Sequence, residues 1–267
     1  MTLVLAEELA AAFRSRRLLR VMVGRELAAR NAGAVFGRAW VYGQPLLMLA
    51  AYFLLFDVIL GARLGDVAPR RGMGVFLIAG MLPWMAFTDA ISRAMTSLVD
   101  AGSLLQKNPL PPVLFPMRSV LASLTTYGPL MLLLWLAYTP YHRFAWPALA
   151  LPLLVLVQFA LIFVLGYLLA VMVAAMRDVQ QFVGFLLAAG LFLTPILFSF
   201  EMFPESFRWI LWLNPMTPIV LGFQALLLHG MWPVPAAFLA LVAWFGMLGL
   251  MLAVAVERSH DQLVDWL

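Results

Sequence analysis

Apolar residues run almost unbroken through six stretches of the chain, at about 39–60, 75–92, 116–138, 148–176, 182–200 and 236–256, and charged residues collect between them. A helix needs roughly 20 apolar residues to cross about 30 Å of hydrocarbon. The pattern therefore predicts six transmembrane helices, the fourth long enough to tilt or overshoot. Ahead of the first, residues 3–30 (LVLAEELAAAFRSRRLLRVMVGRELAAR) set Leu, Val, Phe and Met at helical spacing among arginines. That is the pattern of an amphipathic helix lying on a membrane face.

FLTPILFSFEMFPESFRWILWLNPMTPIVLGF, residues 192–223, breaks the rule. Pro195, Pro204, Pro215 and Pro218 each lack an amide donor and bias the preceding residue away from the α region. Span five is expected to break near Thr194 and Pro195. A short amphipathic helix is expected in FPESFRWILWLN, starting near Glu205 or Ser206 and stopped by Asn214 and Pro215, then a second in PMTPIVLGFQALLLHG ended by Gly230. Neither is long enough to span. Irregular backbone at membrane depth is tolerated only where protein buries it or water reaches it, so this segment is expected to dip back into the outer leaflet at a subunit interface or pore mouth. The fold class that follows is an all-α integral membrane protein: six transmembrane helices, an N-terminal interfacial amphipathic helix, and short outer re-entrant helices between spans five and six. Residues 1–38 form the interfacial segment, 39–256 the six-span domain and 257–267 a tail.

Composition agrees, since 267 residues that are 64% hydrophobic and 11% charged carry more apolar surface than a soluble core of that size buries. No short apolar core with a small-residue cleavage site follows the start, and the first 38 residues instead carry Arg14, Arg16, Arg17, Arg20, Arg25, Arg30 and Arg38; the segment reads as retained. With the N-terminus inside, twelve of the seventeen basic residues are cytoplasmic, and Arg63, Arg70, Arg71, Arg143 and Arg208 lie outside. The bias places both termini in the cytoplasm. The net charge of +4 clusters beside the spans and reads as topology, not as a nucleic-acid footprint. The absence of cysteine excludes disulfides and thiolate metal sites. Lys107, the single lysine, follows SLLQ and not a glycine-rich phosphate loop, so any ATP must be bound by another polypeptide.

Candidate chemistry is sparse. Asp57, near the outer end of span one, and Asp89, near the inner end of span two, lie within reach of water or headgroups. His142, His229 and His260 fall in loops or the tail without paired spacing, so neither a metal site nor a catalytic residue is expected. Arg118 opens span three, where a fully buried charge would cost about 2.5–3.5 kcal/mol; it either snorkels to inner phosphates or touches an anionic lipid-linked substrate. Trp135, Trp146, Trp209, Trp212 and Trp232 fall near the outer interface, as an aromatic belt does. Trp40, Tyr42 and Tyr52 on span one, with Phe192 and Phe198 on span five, are candidates to line a passage. SLVDAGSLLQKNPLPPVLFP, residues 97–116, sets Leu98, Leu104 and Leu105 among polar residues. It is either a short helix presenting an apolar stripe to a partner or a loop helix on the bilayer. Arg177 and Asp178 end the fourth helix and turn the chain back.

Four stretches, RELAARNAGAVFGRAWVYGQPLL, NPLPPVLFP, RDVQQFVGFLLAAGLFLTPILF and MFPESFRWILWLNPMTPIV, resemble the membrane subunit of ABC-2 type exporters, in particular the group that exports O-antigen, teichoic acid and capsule chains. The likeness covers about residues 20–256, with RD, TPI and LNPMTP in order. Where many relatives carry an RYKGS-like stretch, this chain has Arg30, Asn31, Ala32, Gly33 and Ala34. The resemblance implies a homodimer in the bacterial cytoplasmic (inner) membrane, paired with two copies of a separate ABC ATPase that binds the ATP and magnesium. This chain is then a transport subunit without a cofactor of its own. The helix around 97–108 would dock on the ATPase through Leu98, Ser103, Leu104, Leu105 and Lys107. The channel would be lined by the five aromatic residues of spans one and five. An outer gate would involve Glu201, Pro204, Trp209, Trp212 and Pro215, and Arg30, Arg38 and Arg118 would contact a headgroup or lipid. The expected function is export of a lipid-linked polysaccharide. The alternatives are efflux of small amphipathic drugs or lipids, an integral membrane enzyme on lipid-linked sugars, for which no acidic pair or metal cluster is visible, and a proton-coupled carrier, which lacks its mid-span carboxylate.

Overall fold

The computed structural model describes residues 2–30, 32–33, 37, 39–60, 72–108, 110–259 and 262–266, and the regular structure among them is helical. The N-terminal segment forms two helices, α1 (Thr2–Arg14) and α2 (Arg16–Arg30), parted only at Ser15. Five of the six expected spans are long apolar helices: α3 (Ala39–Phe53) with a π-helical turn at Leu54–Leu60, α4 (Met73–Asp100), α6 (Leu114–Ala137), α8 (Leu151–Ala175) and α11 (Pro235–Ser259). Between them lie the short helices α5 (Gly102–Lys107), α7 (Thr139–His142), α9 (Asp178–Gly190) and α10 (Thr217–Gln224), and α12 (Leu263–Trp266) follows.

Helix α4 is the axis of the bundle. Its most apolar stretch is 67% buried, against 11% for the first span, because α6 and α8 pack along it. A Cβ on Gly166 of α8 would come within 2.8 Å of the Ala94 Cβ of α4, so glycine is what lets the two backbones approach this closely. Leu77, Ile91, Phe115 and Tyr167 fill the fully buried layer. The Tyr167 hydroxyl donates to the Glu8 carboxylate, which ties α1 to the same end of the bundle as α2. Helix α4 also outruns its expected end at residue 92, so Ser97 and Leu98 belong to its last turns and not to a separate surface helix. At its start Asp57 accepts the Gly74 amide at 3.0 Å. An aspartate expected at the interface is thus a cap for an orphan donor of the next span.

Span five departs from its expectation. Helix α9 has 13 residues, about 20 Å at 1.5 Å per residue, and ends ahead of Thr194. Pro195 cannot donate to the carbonyl of Leu191, the Thr194 hydroxyl takes the Gly190 carbonyl at 2.6 Å, and a Cβ on Gly190 would sit 2.8 Å from the Trp84 ring. Beyond it a 3₁₀ helix, Glu205–Leu213, meets α10 and its π-helical extension Ala225–His229 at a bend of 106°. Asn214 and Gly230 end these elements as expected, Gly230 with φ of 58°. Ile219, Val220 and Phe223 are completely buried and seat α10 against α4, α8 and α11.

His142, expected in a loop, is buried. Its ring stacks on Trp135 at 5.6 Å, Nε2 lies 2.9 Å from the Trp135 carbonyl and Nδ1 accepts the Phe144 amide at 3.1 Å. Those partners assign the neutral Nε2–H tautomer. His260 lies outside the described residues.

Candidate functional site

Where α2 meets α4 and α6, charged side chains converge at the end of the bundle that carries the termini. Arg30, the last residue of α2, has a side chain only 7% exposed. It donates to Asp89 of α4 at 3.2 Å, to Glu26 one turn back at 3.3 Å and to the Ser123 hydroxyl of α6 at 3.1 Å. Asp89 also accepts from Ser123 at 2.5 Å and from Arg93 at 2.8 Å. Glu26 accepts from Ser119 at 3.2 Å and lies 3.4 Å from Arg118 Nε, whose guanidinium stands over the Phe115 ring at 5.2 Å. A buried ion pair is tolerable when its remaining lone pairs are filled, and here both carboxylates are bonded from two or three elements. The planar guanidinium fork suits a hub that must reach three acceptors at once. Arg30 Nε finds no acceptor among the described residues.

Arg30 and Arg118, both expected to contact a headgroup or lipid, lie in one network, where each is met by carboxylates of the same chain. Arg38 lies outside the described residues. Sequence reasoning left Glu26, Arg93, Ser119 and Ser123 unassigned and treated Asp89 as interfacial. The available signal was two opposite-charge pairs at i,i+4, Glu26–Arg30 and Asp89–Arg93, beside apolar spans.

Two cavities flank the network. One of about 630 Å³ lies between α2, α4, α5 and α6, lined among others by Arg25, Glu26, Arg93, Leu104 and Arg118. The other, about 490 Å³, lies between α3, α4 and α6, and Arg93 borders both. Leu104 of α5 borders the first; Ser103, Leu104 and Lys107 are exposed, whereas Leu98 and Leu105 are buried. The expected three-leucine stripe is corrected to Leu104 alone, because the helical turn points the other two into the core.

The passage candidates separate as well. Trp40 borders the 490 Å³ cavity inside the chain, and Tyr42 follows about 200° around the helix. Tyr52 stacks on Phe56 and Phe198 on Phe203, while Phe192 is exposed. At the far end the bent segment is held by two side chains. Asn214 donates to Thr194 Oγ1 at 2.7 Å and accepts the Met216 amide at 2.9 Å. Arg208, which the sequence placed in this segment without a role, donates to the carbonyls of Phe203 and Glu201 at 3.0 and 2.9 Å. Of the expected gate residues, Glu201, Pro204 and Trp209 are exposed and Pro215 is half-buried. Trp212 packs edge-on against Phe200 and its carbonyl accepts from Trp244 Nε1 at 3.1 Å.

The family model described as ABC-2 type transporter matches residues 17–228, a stretch that includes the charged network, α5 and the bent segment. The chain belongs to that family. Among relatives of this ABC-2 protein, the O-antigen export system permease protein RfbA of Myxococcus xanthus is 31% identical over 236 residues, which is 86% of this chain and 88% of the relative. RfbA of Klebsiella pneumoniae is 25% identical over 218 residues, 80% and 81% of the two chains. The polysialic acid transport protein KpsM of Escherichia coli is 23% identical over 245 residues, 89% and 91%. The ABC-2 chain is accordingly a multi-pass membrane transport protein.

Proposed function

We propose that this ABC-2 chain is the permease subunit of an ATP-driven exporter that moves a lipid-linked polysaccharide across the bacterial cytoplasmic membrane. The observation that carries the reading is the near full-length similarity to relatives named for O-antigen export and polysialic acid transport. The sequence itself supports the need for a partner, since it has no phosphate-binding loop. Two copies of the chain and two ATPase subunits form the exporter, with the termini in the cytoplasm. The apolar faces left exposed on α3 and α9, among them Leu47, Phe182 and Phe185, are the surfaces a second copy and lipid would cover. The bent segment closes the outer mouth, α5 receives the ATPase, and Arg93 and Arg118 draw the anionic headgroup to the inner end.

Deleting the gene is expected to abolish surface polysaccharide and leave the lipid-linked chain inside the cell, read by glycan staining and lipid extraction. Intact polysaccharide with new sensitivity to amphipathic drugs would favour the efflux alternative instead. Leu104→Asp is expected to leave membrane insertion and folding unchanged, because Leu104 is 43% exposed. It should lower export at least tenfold while ATP hydrolysis continues, as measured on reconstituted complexes. Unchanged export would remove α5 from the coupling role. Leu105→Asp is no substitute for this test, since a charge at that buried position would unfold the site.

A further inference from the structure

The 490 Å³ cavity between α3, α4 and α6 has the size of a ligand site, about 300–1,000 Å³, and each wall is one face of a helix. Trp40, Gln44 and Met48 stand at i, i+4 and i+8 of α3, Met81, Met85 and Thr88 follow at i, i+4 and i+7 of α4, and Thr126 and Tyr127 come from α6. A second cavity against α3, about 310 Å³, is lined by Leu46, Leu49, Phe53, Ile78, Leu130 and other apolar side chains, as an acyl chain would want. The larger one differs in kind. It offers two aromatic rings, uncharged hydrogen-bonding groups at Gln44, Thr88 and Thr126, and methionines able to adapt to an irregular ring. Pro45 has no amide hydrogen to give the Val41 carbonyl four residues earlier, and both residues border the cavity. That adds an acceptor.

Charge completes the description. Arg30, Arg93 and Asp89 form the charged part of the lining. Asp89 already accepts from Arg30, Arg93 and Ser123, so it has little left for a ligand. Arg30 is only 7% exposed and its Nε is enclosed, so it contributes charge to the lining, whereas Arg93 is 44% exposed. The surplus is positive and consists of donors. We infer that this cavity holds the sugar ring adjoining the phosphate of the lipid-linked substrate, with the ring between Trp40 and Tyr127, its hydroxyls on Gln44, Thr88 and the Val41 carbonyl, and the phosphate toward Arg93. This rests on the export function proposed above and assigns the residues that read the first sugar.

The test uses the full-length chain with its ATPase in lipid nanodiscs and two probes: a short-chain polyprenyl phosphate bearing one hexose, and the same polyprenyl phosphate without it. The hexosyl probe is expected to bind about tenfold tighter, the increment of a few hydrogen bonds that water does not replace. Gln44→Leu and Thr88→Val are expected to erase the difference and leave the sugar-free Kd unchanged. Thr88 donates its proton to the Met85 carbonyl of its own helix, which leaves its oxygen to accept from a sugar hydroxyl and joins no other element, and Gln44 is exposed, so both variants keep the fold. Equal binding of the two probes, or a preference that survives both substitutions, overturns the assignment. If equal binding accompanies loss of surface polysaccharide on gene deletion, the pocket falls and the function stands. If neither probe binds and deletion leaves the polysaccharide intact, both fall.

Discussion

Replacing Arg30 by methionine is expected to destabilise the protein by about 3 kcal/mol, the low end of what breaking a buried ion pair costs. The low end applies because Asp89 retains Arg93 and Ser123, and Glu26 retains Ser119 and the nearby Arg118. What is lost is, among the described residues, the side chain that hydrogen-bonds α2 to α4 and α6 together, so α2 is expected to detach before the bundle melts. Thermal unfolding in nanodiscs and protease access to residues 16–30 read the two events separately. Arg30→Lys should recover only part of the loss, since an ammonium cannot reach Asp89, Glu26 and Ser123 in the fixed directions a guanidinium covers. Arg30→Met combined with Asp89→Asn should be less harmful than Arg30→Met alone, because it removes the carboxylate left underpaired. A cost for Arg30→Met below about 1 kcal/mol, the range of an exposed pair, would show that the network does not hold the N-terminal helix. Export should fall with α2 detachment, since α2 forms one wall of the cavity whose rim is α5.

Much of this architecture was legible in the sequence, for physical reasons that also explain the misses. Spans such as α8 announce themselves because the bilayer demands a run of apolar residues whatever they pack against. The stops at Asn214 and Gly230 are local chemistry, and local chemistry is readable. The break of span five near Pro195 was readable for the same reason, but that the helix stops a turn sooner, at Gly190, also depends on Trp84 and Asn214, distant residues that crowd and bond Gly190, and a periodicity has no access to such contacts. The same holds for Leu98 and Leu105: three leucines among polar residues mark an amphipathic turn, but only packing decides which of them face inward. The charged network was half visible. Arg30, Asp89 and Arg118 each stood out as expensive near a membrane, yet nothing in their spacing says that α2 folds back to bring one arginine onto two helices at once. Asp57 was similarly seen as a charge near an interface, while its actual partner is an amide of the next span.

Asn214→Leu is expected to produce the largest functional defect at the far end of the bundle. Asn214 fills two roles: its amide nitrogen bonds Thr194 Oγ1 at 2.7 Å and its oxygen holds the Met216 amide at 2.9 Å. The TPI and LNPMTP motifs therefore meet in one hydrogen bond, placed at the corner where the 3₁₀ helix and α10 turn by 106°. Leucine removes the donor to Thr194 Oγ1, although that fully buried hydroxyl keeps its own bond to the Gly190 carbonyl, and it leaves the Met216 amide without the Asn214 acceptor. An unsatisfied buried amide costs about 1–3 kcal/mol. Asn214→Asp separates the roles, since a carboxylate can still accept from Met216 but offers no donor to Thr194 and faces the Gly190 carbonyl. It is expected to be at least as damaging as leucine. A double-mutant cycle with Thr194→Val should return a coupling of about 0.5–3 kcal/mol if the bond is formed in the native state; additive losses would place the two side chains apart. Because α10 remains anchored by Ile219, Val220 and Phe223, the chain should still insert and fold at growth temperature, and export should drop at least tenfold. Full export by a folded Asn214→Leu protein would mean that the angle of this corner is incidental to export and would remove the bent segment from the proposed gate.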